Sequence, residues 1–310
     1  MNSTLNLTTL PKTEDEARAL LEEIRWGNAA INAACPHCGV MEPYRLTPKP
    51  GSKTRKGVWK CRACRKQFSV TVGTVFEASH VPLTKWWLAI HLLASSKKGI
   101  SAHQLHRNLH VSYQTAWFMA HRLRYAMMQG PMLDLFKGVV EMDETYVGAR
   151  HKRGTRRGRP GPDSHKTPVV ALVERGTGRV RAFPMPRVTS DNLKAALSAH
   201  ADPSAELMTD DYFAYRSVAK GQKRHGVVKH SNKEYVRGND HTNTIEGFFS
   251  LLKRGINGVY HHVGRGHLNR YCDEFAFRYE NRKVSDGERA GMLVKGGDGK
   301  RLTYKMPAAS

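Results

Sequence analysis

Two cysteine pairs set the first boundary on what this chain can fold into. Cys35-Pro36-His37-Cys38 and Cys61-Arg62-Ala63-Cys64 are separated by 22 residues, 39–60. A two-residue gap lets both thiolates of a pair reach one ion from a tight turn, and two such knuckles complete a tetrahedral site. Zinc is the expected ion. Four thiolates leave no vacancy for His37 or for water, so the site reads as structural and not catalytic. The fifth cysteine, Cys272, sits in an apolar helical stretch and reads as a buried small hydrophobe. Met1–Lys12 lacks a basic-then-apolar signal pattern, which favours metal binding over disulfides.

Charge narrows the partner. Lys plus Arg number 50 against 27 Asp plus Glu, a net +23 over 310 residues. So positive a field favours a polyanion, and nucleic acid before anionic lipid, because no basic amphipathic helix adjoins an apolar anchor. The longest apolar stretch, Trp86–Ala94, is interrupted by His91 and falls short of the about 18–20 residues of a membrane span. A cytoplasmic protein without a membrane partner is expected. Lys60, Arg62, Arg65 and Lys66 cluster at the second knuckle and read as phosphate contacts.

Periodicity and punctuation divide the chain into an N-terminal helix (1–30), a zinc ribbon (31–80), a helix-turn-helix-like region (81–130), an α/β domain (136–283) and a polar, Gly-rich, frayed tail (284–310). Thr13 and Glu16 make a capping-box pattern for a helix to Trp26. Gln67–Val72 is a β-like run. Pro82–Ser95 and Ser101–Gln129 read as helical. Within the latter, Ser101 and Ser112 can each cap a helix around the turn at His110-Val111-Ser112. As a helix-turn-helix it would offer Tyr113, Gln114, Arg122 and Arg124 to DNA; as an ordinary helical hairpin it would offer none. Trp86, Trp87 and Trp117 suit helix packing better than base stacking. From Val139 onward, β-branched runs at Val139–Met142, Pro168–Val173, Gly178–Pro184 and Leu207–Thr209 alternate with helices at Ser190–His200, Thr244–Arg254 and Gly266–Tyr279.

The acids of this last region carry the chemistry. Val139-Val140-Glu141-Met142-Asp143-Glu144-Thr145-Tyr146-Val147-Gly148 is an apolar strand studded with carboxylates. Burying them is costly unless they are paired or bind a cation. Leu207-Met208-Thr209-Asp210 ends a second short strand on an acid. In the helix Asn243–Lys253, Asn243, Glu246 and Lys253 share one face. Hard oxygen ligands suit Mg²⁺ or Mn²⁺, and two such ions can stabilise both the attacking and the leaving oxygen of an in-line displacement at phosphorus.

Taken together, these motifs resemble the insertion-sequence DDE transposases of the zinc-ribbon, ISXO type, over roughly Cys35–Arg282. The resemblance rests on the two cysteine pairs with Phe68-Ser69-Val70-Thr71-Val72-Gly73-Thr74-Val75-Phe76, on Glu141–Gly148, on Thr209-Asp210, on His241–Gly255, and on Asp273-Glu274-Phe275-Ala276-Phe277-Arg278-Tyr279. It implies an α/β, RNase H-like catalytic domain, a mixed sheet with flanking helices. It implies a divalent-metal site in which Asp143 and Asp210 supply the first two acids. The third falls on Glu246, with Asn243 as the competing ligand or as an orienting group. It further implies cleavage at element ends, attack of the freed 3′-hydroxyl on target DNA, terminal inverted repeats as substrate, a homo-oligomer on paired ends, and a place at the bacterial nucleoid. Lys253, with Arg254 beside it, would contact the DNA backbone.

Two further basic features stand apart. Residues 150–159 hold six Lys or Arg among ten, and Arg150, Lys152, Arg153, Arg156 and Arg157 read as a DNA-clamping arm. His261, His262, Arg265, His267 and Arg270 form a second cluster. Two other readings compete with a transposase: a non-catalytic DNA-binding derivative, and a metal-dependent nuclease of the same fold that cuts without joining. The presence of all three acids argues against decay.

Overall fold

Thr13 and Glu16 form the capping box their spacing implies. Thr13 Oγ1 accepts from the Glu16 N–H at 3.2 Å, and Glu16 Oε2 from the Thr13 N–H at 3.3 Å. They open α1 (Glu14–Trp26) in the computed structural model, which describes residues 6–41, 43–51, 54–128, 134–148, 166–229 and 236–303. The chain divides into two compact units, Met1–Met128 with Lys283–Ala309, and Gln129–Arg282.

In the first unit, α1 and the short α2 (Ala29–Asn32) precede an antiparallel sheet of β1 (Tyr44–Arg45), β2 (Val58–Lys60) and β3 (Gln67–Ser69). Trp59 and Phe68 face each other across β2 and β3 and meet Trp26 edge-on, at 5.8 and 6.4 Å between ring centroids. The β-run expected to Val72 stops at Ser69, where the Val72 N–H turns back to the Ser69 carbonyl. Three helices follow: α3 (Leu83–Ser95), α4 (Ala102–Leu109) and α5 (Tyr113–Met127). Trp86 and Trp87 are buried, and Trp87 Nε1 donates to the Ala17 carbonyl at 2.9 Å.

The frayed tail expected after Lys283 is instead a packed helix, α10 (Asp286–Lys295). Ser285 and Glu288 form its capping box, and Ala290, Leu293 and Val294 are buried. The spacing of those three puts them on one face, so a short amphipathic pattern outweighs the glycines around it. The Arg289 guanidinium donates to the Ala94 carbonyl at 2.8 Å and ties α10 to the end of α3.

The second unit is a five-stranded mixed sheet. Its strands are β4 (Val139–Val147), β5 (Thr167–Glu174), β6 (Val180–Pro184), β7 (Glu206–Asp210) and β8 (Arg224–Val228), in spatial order β6-β5-β4-β7-β8. The meander β4-β5-β6 is antiparallel, while β7 and β8 run parallel to β4. Alternation along β4 and β5 feeds two cores. Val140, Met142, Val170 and Leu172 pack with α6 (Ser190–His200) and α7 (Tyr215–Val218). Val147, Val169, Ala171 and Val173 pack with α8 (Asn243–Gly255) and α9 (Leu268–Glu280). A short ribbon, β9 (Val236–Arg237) and β10 (Asp240–His241), leads into α8. β10 lies so close to β7 and β8 that a side chain at Gly226 would collide with Met208 and Asp240. Cys272 is fully buried in this core, and burial pushes its thiol far up, as expected of a packing residue.

Candidate functional site

The face of the sheet that meets α8 carries the acids. Glu141 pairs with Met208 in the parallel β4–β7 register. The ladder ends there, and Asp143 and Asp210 each lie two residues beyond that pair, toward the same end of their strands and on the same face. Asp210 sits at the carboxyl end of β7 and accepts the Tyr212 N–H at 3.1 Å. Glu246 lies in the first turn of α8, exposed, and accepts a 3.3 Å bond from Thr242 Oγ1. Asn243, the first residue of the helix, is also exposed.

Asp143 feels its neighbours. Burial raises its carboxyl well above the ordinary aspartate range. The charges of Glu144, Asp210 and Glu246 raise it further, and the Glu144 N–H, donating at 2.7 Å, does not offset them. A carboxyl set among like charges is an incomplete electrostatic arrangement, which a cation would complete. Among the described residues, the four cysteines form a metal-binding group, with ligand atoms all within 4.8 Å of one another, and Asp143, Asp210 and Glu246 are not gathered into such a group.

Two other acids of the β4 motif have different surroundings, which sequence reasoning did not separate. Glu141 is 0% exposed and enclosed by donors: Arg175 Nε at 2.5 Å, and the Ile245 N–H of α8 at 2.8 Å. Glu144 points to the opposite face, where the Tyr215 hydroxyl donates to it at 2.8 Å. Burial, then the charges of Glu144 and Asp143, hold the Tyr215 phenol well above its ordinary value, so it stays a donor. The signal that separates these acids is strand alternation, but only once the face each core occupies is known.

The cysteine site closes as its spacing implies. Cys35 Sγ lies 3.6 Å from Cys64 Sγ, and Cys38 Sγ lies 3.6 Å from Cys61 Sγ. Tetrahedral zinc with bonds of about 2.3 Å would hold its sulfurs roughly 3.8 Å apart. Backbone N–H groups of His37 and Cys64 point at Cys35 and Cys61 Sγ, both at 3.4 Å. The Cys64 N–H, with the adjacent Cys38 thiol, lowers the Cys61 thiol to about 7, toward the thiolate that binds metal.

Comparison with known proteins bears on both units of the chain. Residues 135–280 match the ISXO2-like transposase domain, and residues 12–67 match the transposase zinc-ribbon domain. An uncharacterized protein in transposable element ISH50 of Halobacterium salinarum is 31% identical over 280 residues, covering 86% of this chain and 91% of the relative. The chain belongs to the ISXO2-like, IS1595-type transposases. Its four clustered cysteines are the structural zinc site of the transposase zinc ribbon. One solved structure, a simian T-cell lymphotropic virus intasome in complex with PP2A regulatory subunit B56 gamma, aligns with 57% of this transposase and 65% of its own chain. Identity there is 15% and the TM-score 0.27, a superposition too loose to bear on fold or function.

The basic residues of the transposase separate by exposure. Arg62 and Arg65 are exposed at the second knuckle, Arg62 over the Tyr44 ring at 5.3 Å. Lys253 and Arg254 are exposed at the end of α8, and His261, His262 and Arg265 beyond it. Arg150, Lys152, Arg153, Arg156 and Arg157 lie outside the described residues. Arg122 is a correction. It is buried, and its Nη1 donates to the carbonyls of Val75 and Glu77, both at 3.0 Å, so it braces the first unit and is not open to DNA. Arg124 is buried as well. From Met119 onward α5 is enclosed nearly all round, and only its first turn, with Tyr113 and Gln114, stays exposed. No helix among the described residues is long and apolar enough to cross a membrane.

Proposed function

We propose that this chain cleaves DNA at the ends of an insertion sequence and joins the freed 3′-hydroxyl to target DNA, through a divalent-metal site formed by Asp143, Asp210 and Glu246. The observation that carries this reading is Asp143 itself, half-buried on β4, whose carboxyl is raised by burial and by the like charges of Glu144, Asp210 and Glu246. The sheet supports an RNase H-like fold: an antiparallel meander extended by two parallel strands, with helices on both faces.

Two Mg²⁺ or Mn²⁺ ions, when bound, would polarise the scissile phosphate and lower the pKa of an attacking water. The protein's own residues supply the rest. Asp143, whose carboxyl feels the charge of both other acids, would be the first ligand. Asp210 and Glu246 flank it, the carboxylate of Glu246 being preferred to the neutral amide of Asn243 as third ligand. Asn243, three residues earlier on the same face, orients water or phosphate. Lys253 and Arg254 hold the DNA backbone, with Arg62 and Arg65 gripping it from the ribbon. Paired element ends would be served by a homo-oligomer.

The test is cleavage and strand transfer on element-end DNA with Mg²⁺. Asp143→Asn is expected to abolish both while DNA affinity by filter binding stays close to wild type. Full cleavage by that variant would overturn the site. Hydrolysis without joined product would favour the nuclease reading, and binding without either reaction the non-catalytic one.

A further inference from the structure

One acid of the β4 motif cannot serve as a ligand. The Glu141 side chain is fully enclosed, and its oxygens accept from Arg175 Nε at 2.5 Å and from the Ile245 N–H at 2.8 Å. The Ile245 N–H is one of the first-turn donors that no residue of α8 can satisfy, and the N-cap, Thr242, makes no side-chain capping bond. Glu141 therefore caps α8 from the neighbouring strand, with its negative charge at the positive end of the helix.

Arg175 extends the same contact to the segment before the helix. Its Nη1 donates to the Asn239 carbonyl at 2.7 Å, and its Nη2 to the His241 carbonyl at 2.5 Å and to His241 Nδ1 at 3.0 Å. A guanidinium can only donate, so His241 Nδ1 accepts, and its 3.3 Å approach to Glu141 Oε1 is a packing contact. The Arg175 backbone N–H donates to the Val139 carbonyl at 2.8 Å, which anchors the arginine to the start of β4. One buried carboxylate and one arginine thus bind β4, β10 and the first turn of α8 together.

Position gives this arrangement its meaning. Glu141 is two residues from Asp143 on the same face of β4, and Ile245 immediately precedes Glu246. Any slide of α8 along the sheet that breaks the Ile245–Glu141 bond also changes the distance from Glu246 to Asp143. Mg²⁺ tolerates little of that, since its bonds are about 2.0–2.1 Å and near-octahedral.

We infer that Glu141, with Arg175 and His241, is a positioning clamp that sets Glu246 against Asp143 for metal binding, and is not itself a ligand. The inference rests on the three-acid reading above. The expected behaviour is that of a residue supporting the ligands of a metal site, whose loss weakens metal affinity about 10–100-fold.

The test uses full-length, zinc-loaded protein titrated with Mn²⁺, free ion being followed by electron paramagnetic resonance. Glu141→Gln is expected to weaken Mn²⁺ binding about 10–100-fold, to leave affinity for element-end DNA unchanged, and to regain cleavage as Mn²⁺ is raised. Glu141→Asp should fall between. Arg175→Lys keeps the charge but loses the fork, and should shift Mn²⁺ binding in the same direction; it decides the matter if Glu141→Gln does not fold. Folded variants that bind Mn²⁺ as wild type, even with a lower melting temperature, would show a merely structural pair and overturn the clamp. Asp143→Asn separates the two levels. If it too binds Mn²⁺ normally, the three-acid site fails and the clamp with it; if only Asp143→Asn loses the ion, the clamp alone fails.

Discussion

At the scale of single residues, the same chemical group takes opposite roles according to what surrounds it. Glu141 and Asp143 lie two positions apart on one strand. The first is enclosed by donors and the second by acids. The raised Asp143 carboxyl has a thermodynamic consequence. The native protein holds a proton that the unfolded chain releases, so stability falls as pH rises from the ordinary aspartate range toward the raised value, and stays lowered above it. A divalent ion displaces that proton, so its binding should release protons and tighten as pH rises through the same window. With no added magnesium at pH 7, Asp143→Asn is expected to melt above wild type, and to gain nothing when magnesium is supplied. Scanning calorimetry with and without Mg²⁺ checks both; a variant that melts lower and still gains would contradict the like-charge account. Arg122 gives a second residue-level contrast. Arg122→Met should cost about 2–3 kcal/mol through its lost charged hydrogen bonds, yet leave the salt dependence of DNA binding untouched. Denaturant titration and salt-dependent filter binding read the two effects separately.

At the scale of elements, the caps were the most legible part of the sequence. Thr13, Ser101, Ser112 and Ser285 all cap helices, the first three at positions their spacing announced. Side chain and backbone are only three residues apart there, so nothing distant intervenes. The alternation of β4 and β7 announced strands bearing acids for the same reason. What stayed hidden depended on distant partners: that Arg122 meets the carbonyls of Val75 and Glu77, that Glu141 meets the N-terminus of α8, and that the chain after Lys283 packs against α3. β8, at Arg224–Val228, was missed because its flanks are basic and its apolar run is short. Helix α10 supports its own prediction. A chain ending at Lys283 would bare the surface that Leu293 and Val294 cover, at about 1.5–3 kcal/mol for each. Faster hydrogen exchange in α3 of the shortened protein is the expected sign, and unchanged exchange would show that α10 adds no support.

For the whole molecule, the governing quantity is the net charge of +23. Each phosphate neutralised by a Lys or Arg releases counterions, so binding to duplex DNA should weaken steeply with salt. With 6–10 phosphate contacts the loss would be about 10³–10⁵-fold between 50 and 200 mM. Affinity measured across that range tests it, and a flat profile would contradict a backbone-dominated grip.

The path of the chain adds one more consequence. Helix α10, formed from residues 286–295, completes a unit begun by residue 14, while the acid-bearing sheet is encoded wholly between them. During synthesis, then, the sheet can finish folding while the zinc-bearing unit still lacks its closing piece. The unit that begins the chain is thus the last to have all of its residues, and the middle one has all of its own earlier.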